Sequence, residues 1–276
     1  MKKEAVIFAF TLLLIAATVI GCLNQDLISA DQMDMAQIEP REPIQEHQAG
    51  QTHFSQINTP ELAQEPQTAQ APSDPPIDYI TIQGEEYSTS LISLEIGDHT
   101  LRPLSDADIK PLCHMTNLTS LNLVGNQLTD ISPLSDLASL TCLELGYNEL
   151  SDISALSGLI NLTKLDLSSN NITDISALSY LINLTELHLS INSVYDISPL
   201  SGLVSLQYLD LFGNEVSDIS PLSRLSELTL LNLGGNEISD ISPLSELLNL
   251  TDVDLGSNPV ADWTPVEHIE NVSGRS

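Results

Sequence analysis

Positive charge is what this chain has least of. Eight Lys and Arg residues stand against 38 Asp and Glu in 276 residues, a formal charge of −30 at pH 7. Phosphate backbones need cationic side chains to bind them, so nucleic acid is excluded as a partner, and so is simple adsorption to anionic lipid. Basic proteins, cations and neutral glycans remain. Cysteine is scarce as well: three residues, at 22, 113 and 142, cannot build a disulfide framework. An exported chain without such staples has to rely on a continuous apolar core. Aromatic residues make up 4% of the chain, which makes the position of each one informative.

What the chain has is a repeat. Seven consecutive 22-residue units run from Leu118 to Asn271 without insertion or deletion, opened by Leu118, Leu140, Leu162, Leu184, Leu206, Leu228 and Leu250. Unit positions 1, 4, 6, 11, 14, 17 and 20 are apolar in all seven copies. Position 9 is always asparagine: Asn126, Asn148, Asn170, Asn192, Asn214, Asn236 and Asn258. A fixed period of this length marks a solenoid, in which each unit buries its apolar face only against its neighbours. The start of each unit alternates as a strand does, with Leu165 and Leu167 inward and Lys164, Asp166 and Ser168 outward. Seven such strands stacked in parallel give a sheet about 33 Å long. The return path reads Asp-Ile-Ser-Pro/Ala-Leu; serine before proline suggests an N-cap followed by N1 and one short 3₁₀ turn. The expected fold class is an α/β solenoid with a parallel sheet on the concave side and short 3₁₀ turns on the convex side. In it Cys113 falls on the convex side of the cap and Cys142 on the sheet, so no bridge between them is expected.

The ends differ from the array. Lys2 and Lys3 precede an apolar stretch from Ala5 to Val19, followed by Val19-Ile20-Gly21-Cys22. This resembles the bacterial lipobox, which implies a signal peptide over residues 1–21 and lipidation at Cys22; an ordinary signal peptide or uncleaved anchor is the alternative. Residues 22–77 read as a tether. Ten glutamines and seven prolines with no sustained periodicity cannot bury enough apolar surface to order a chain. About 55 such residues average roughly 40 Å end to end. Residues 78–117 read as an N-terminal cap with a degenerate first repeat, Leu91-x-x-Leu94-x-Ile96, and a helix start at Ser105 with Asp108 three residues on. Residues 118–271 hold the seven repeats, with Trp263 placed to close the last coil, and 272–276 are a tail.

The pattern L-x-x-L-x-L-x-x-N-x-L resembles the leucine-rich repeat, over about residues 91–271. Its Asp-Ile-Ser-Pro-Leu return segment is similar to that of bacterial internalins and related surface proteins. The resemblance implies a horseshoe or arc, and a non-enzymatic extracellular module that binds a protein or glycan on its concave face. No wall-sorting signal or immunoglobulin-like module follows the array, which puts a host-invasion role in doubt. Together with the lipobox, the reading is an exported protein held on the bacterial envelope by its lipid anchor alone. The competing reading is a structural or assembly component of the envelope with no single dedicated ligand.

Few residues carry candidate chemistry. The asparagine ladder reads as structural, each carboxamide satisfying turn backbone. The aspartates at position 13 (Asp130, Asp152, Asp174, Asp196, Asp218, Asp240 and Asp262) supply about one carboxylate per coil. Calcium needs six or more converging oxygens, so these read as turn caps. His188, flanked by Asp166 and Asp210 and followed by Ser190, could be drawn as a triad or a metal site. An open sheet neither excludes water nor supplies an oxyanion hole, so a solvated charge ladder is the expectation. No cofactor or metal is implied. The candidate contact residues on the concave face are Tyr147, His188, Ile191, Tyr208, Asp210, Phe212, Leu230 and Asp252. Exposed aromatics mark binding sites, against the alternative of scattered surface hydrophobics.

Overall fold

The computed structural model describes residues 77–96 and 102–275. The signal segment, Cys22 and the tether up to residue 76 lie outside the described residues. The described chain opens with a hairpin of β1 (Tyr79–Ile82) and β2 (Glu85–Ser88). Gln83 and Gly84 form its two-residue loop with φ of 50° and 91°, the left-handed pair that matches strand twist. Ile80 and Ile82 are buried and Tyr87 packs against the core, so the hairpin covers the first coil.

Nine strands form one parallel sheet in sequential order: β3 (Ser93–Glu95), β4 (Ser120–Asn122), β5 (Cys142–Glu144), β6 (Lys164–Asp166), β7 (Glu186–His188), β8 (Tyr208–Asp210), β9 (Leu230–Asn232), β10 (Asp252–Asp254) and β11 (Asn271–Ser273). Seven strands were expected from the exact repeats. The other two are β3, in the degenerate first unit, and β11, after the last full one. A terminal strand needs only a hydrogen-bonding neighbour and one inward apolar residue; Leu94 and Val272 serve. The register never slips, so Leu121, Leu143, Leu165, Leu187, Leu209, Leu231 and Val253 form one inward row.

Every repeat core position is buried except Val260 and Trp263, which pack partly buried against the last coil. Arg275 lies over the Trp263 ring, 5.7 Å from its centroid, a cation–π contact at the open end. Each buried leucine stabilises the fold by about 1.5–3 kcal/mol relative to exposure.

The return path does form 3₁₀ turns, such as Ser154–Gly158, but serine is not the cap. It lies inside the turn, and the preceding aspartate does the capping. Asp152 Oδ1 accepts the Ser154 N–H at 2.8 Å, and the same bond recurs from Asp130 through Asp262. This is an Asx-turn, which aspartate forms more strongly than serine. The cap region holds an α-helical turn, Asp106–Ile109, that runs into a 3₁₀ turn, Lys110–His114. There Asp108 Oδ2 accepts from both Ser105 N and Ser105 Oγ. Cys113 is free, so it forms no bridge to Cys142.

Two side-chain ladders run along the stack. Asn170 Nδ2 donates to Leu145 O and Leu167 O, and its Oδ1 accepts Leu150 N–H at 3.0 Å. All seven asparagines repeat this arrangement, each tying its own coil to the previous one. A second ladder had no counterpart in the sequence reading. Thr141, Thr163, Thr185 and Thr229 each donate Oγ1 to the position-2 carbonyl one coil back. Its signal was a column of threonine interrupted only by Gln207.

Candidate binding face

Outward side chains of adjacent strands stand about 4.8 Å apart in two columns. One runs Ser120, Cys142, Lys164, Glu186, Tyr208, Leu230, Asp252, Asn271. The other runs Asn122, Glu144, Asp166, His188, Asp210, Asn232, Asp254, Ser273. Among the charged members carboxylates outnumber the basic ones, which are Lys164 and His188.

At the centre these columns interlock. Glu186 takes Lys164 Nζ at 3.2 Å and His188 Nε2 at 3.0 Å. His188 packs on Tyr208, ring centroids 4.7 Å apart and tilted by 34°. Asp210 accepts the Phe212 N–H at 3.0 Å. His188 is 7% exposed and Asp210 5%, so the expected solvated ladder is corrected to a buried cluster. The reason is size: Tyr208, Glu186 and their cross-strand neighbours cover what a strand of small residues would leave wet.

Burial sets the protonation of the group. It favours neutral His188, but the Glu186 hydrogen bond and the charges of Asp166, Glu186 and Asp210 outweigh it, raising the pKa above the ordinary 6.5. Glu186 is held below its usual range, chiefly by that hydrogen bond. Burial raises Asp210 and, with Asp210, raises the Tyr208 phenol. Glu144, hydrogen-bonded by Asn122 Nδ2 at 2.7 Å, is pushed up to about 7 by burial and by Asp166 and Glu95.

The remaining candidates divide. Tyr208 and Phe212 project from the sheet face as expected but are half-buried on it. The Phe212 ring edge lies against Gly234, where an added Cβ would meet it at 3.1 Å, so glycine there leaves room for the ring on the next coil. Leu230 stays 39% exposed and Asp252 is half-buried. Tyr208, Leu230 and Asp252 line one groove of about 530 Å³, with Asn232, Asp254, Glu270, Asn271 and Ser273 around them. Tyr147 and Ile191 lie apart from it, at unit position 8 in the turn after the strand, and are 37% and 42% exposed.

That turn position is left-handed in every unit. Gly125, Gly213 and Gly235 occupy it in three coils, and Tyr147, Ser169, Ile191 and Ser257 in the others, with φ between 53° and 72° throughout. Its N–H continues the inter-coil ladder, Ile191 donating to Phe212 O at 2.7 Å. A side chain in this conformation costs roughly 1–2 kcal/mol, and a β-branched one is a true outlier. Among the described residues no group of three or more His, Cys, Asp or Glu side chains is placed to hold a metal. Among the same residues no helix is long and apolar enough to cross a membrane.

The family profile of Leucine Rich repeats (2 copies) matches residues 116–158, 138–180, 182–224 and 226–268. Internalin C2 of Listeria monocytogenes is 38% identical over 69% of this chain and 85% of that one, with a TM-score of 0.63. A second Listeria monocytogenes internalin, InlF, is 37% identical over 68% of this chain and 58% of its own, also at 0.63. The functional domain of InlJ from the same organism shares the fold at 24% identity and a TM-score of 0.52, over 67% of this chain and 44% of that one. No curated protein matches the chain. The chain belongs to the leucine-rich repeat family, and its array is of the internalin-like kind.

Proposed function

We propose that the array is a non-enzymatic binding module that takes a protein ligand on its outer sheet face. The observation that carries this is the pair Tyr147 and Ile191. Both are exposed, both hold a left-handed backbone, and other coils place glycine at the same position. Stability alone favours glycine there, and strain kept on an exposed apolar side chain is characteristic of contact surfaces. Leu230, exposed on a face otherwise rich in carboxylates, supports the same reading. Likeness to internalin C2 and InlF supports it at the level of family. A neutral glycan is the second ligand class, favoured by the half-buried Tyr208 ring beside the Asp252 and Asn271 side chains.

The test is capture from matched envelope and host extracts with the unaltered chain and with an Ile191→Gly/Leu230→Ser variant. A ligand held by the first and lost by the second is expected. Capture of the same ligands by both would move the site off this face. Added salt then sorts the classes, because a basic protein loses affinity as ionic strength rises and a neutral glycan does not.

For location we propose display on the bacterial envelope through diacylglycerol on Cys22, supported by Gly21-Cys22 after the apolar stretch. Two acyl chains suffice for stable anchoring where one does not. Cys22→Ser should leave unprocessed precursor. An unacylated N-terminus at another residue, found by mass spectrometry, would overturn the anchor.

A further inference from the structure

We infer that the groove at the C-terminal end of the sheet face receives an arginine or lysine side chain of a protein partner. This rests on the protein-binding reading above and gives that ligand its chemistry. Tyr208 and Leu230 give the groove apolar lining, Asn232 lines it beside them, and Asp252 and Asp254 follow on the next strand, with the exposed Glu270 also in the lining. His188 packs on Tyr208 from the preceding coil, and Leu230 and the groove follow on the C-terminal side. A long aliphatic stem fits against such a lining while its charged head reaches the acids. Arginine adds a planar fork matched to carboxylate oxygens.

The carboxylates are preorganised. Asp252 Oδ1 accepts Asn271 Nδ2 at 2.9 Å and its Oδ2 accepts Thr251 Oγ1 at 2.7 Å. Asp254 Oδ1 accepts Gly256 N–H at 2.8 Å, and its Oδ2 lies beside Gly234, where a Cβ would meet it at 3.3 Å. Carboxylates anchored in this way lose little freedom when a cation arrives.

The groove also lacks a cation of its own. Among the described residues the ion pairs are those of Glu186 with Lys164 and with His188, both upstream of the groove. A second copy of the chain is a poor source of the missing charge. Its described basic residues are Arg102, Lys110, Lys164, Arg224 and Arg275, of which Lys164 is paired and Arg275 lies over Trp263. A chain of −30 finds its complement in a basic partner.

The experiment pans a random dodecapeptide phage library on the full chain and measures the selected peptides by calorimetry. Enriched peptides should carry Arg or Lys beside an apolar residue. Their affinity should fall tenfold or more with Asp252→Asn/Asp254→Asn, and equally when the arginine is replaced by citrulline. Glu215→Gln/Glu237→Gln, which removes the same charge elsewhere, should leave affinity within twofold. The citrulline arm uses the unaltered chain, so it decides the matter even if the aspartate variant folds poorly. Peptides that need Leu230 but carry no basic residue, or that tolerate citrulline, would overturn the cation receptor and leave the binding face standing. Peptides indifferent to Leu230→Ser, Ile191→Gly and the aspartate pair would overturn both.

Discussion

Leu230 and Leu231 are adjacent on one three-residue strand, and they answer to different rules. Leu231 belongs to an inward row that is leucine in β4 to β9 and valine in β10. Leu230 belongs to an outward row that changes chemistry at every coil, from Lys164 through Glu186 and Tyr208 to Asp252. The inner face repeats because each coil must close the one before it. The outer face is released from that demand, so what it keeps is kept for another reason. Where it also works against the fold, as at Ile191, the reason has to be stronger.

The largest effect should separate the two leucines themselves. Leu231→Ala is expected to cost about 2–5 kcal/mol through the cavity it leaves. Leu230→Ser should stay within about 0.5 kcal/mol. Urea denaturation of both variants checks this, and equal midpoints would erase the distinction between the faces. Next in size is the asparagine ladder. Asn170→Ala should cost roughly 1–3 kcal/mol by orphaning buried backbone groups. Asn126→Ala should match it, because Asn126 makes the equivalent bonds to Ile96, Leu123 and Leu104. A much smaller loss at Asn126 would mean that the capped end yields.

Acidity sharpens the comparison on the outer face. Folding raises the pKa of Glu144 to about 7 and raises that of His188. A group raised by folding stabilises fully below its unfolded pKa and loses that contribution as pH rises through its folded one. For Glu144 the loss therefore runs from the ordinary 4.5 to about 7, and for His188 it begins above 6.5. Glu186 is lowered, so its share is present at neutral pH and lost in acid. Thermal stability should be greatest at roughly pH 5–6 and fall toward pH 8. Glu144→Gln should flatten that fall. A melting temperature that rises between pH 6 and 8 would contradict the buried assignment. The smallest effect is a gain: Ile191→Gly should stabilise by roughly 0.5–1 kcal/mol, as relief of left-handed strain exceeds the added chain entropy.

Much of this was legible in the sequence. The period alone yields the coils, the inward rows and the asparagines, because each is demanded again at every turn of the solenoid. The end strands were harder. Leu91 lies 27 residues before Leu118, and β11 offers Val272 between two polar residues, so the repeat signal fades where neighbours on one side are missing. On the outer face, a histidine between aspartates reads as wet. Only the closeness of three coils shows that Tyr208 and Glu186 bury His188. The strain at Ile191 was also hidden, since no periodicity of apolar residues reports the sign of φ.

The most direct test is the affinity of the Ile191→Gly/Leu230→Ser variant for a ligand captured by the unaltered chain, measured beside its denaturation midpoint. The outer face as contact surface predicts a loss of about tenfold or more, equivalent to about 1.4 kcal/mol, with a midpoint that is unchanged or higher. Undiminished affinity in a folded variant would contradict it.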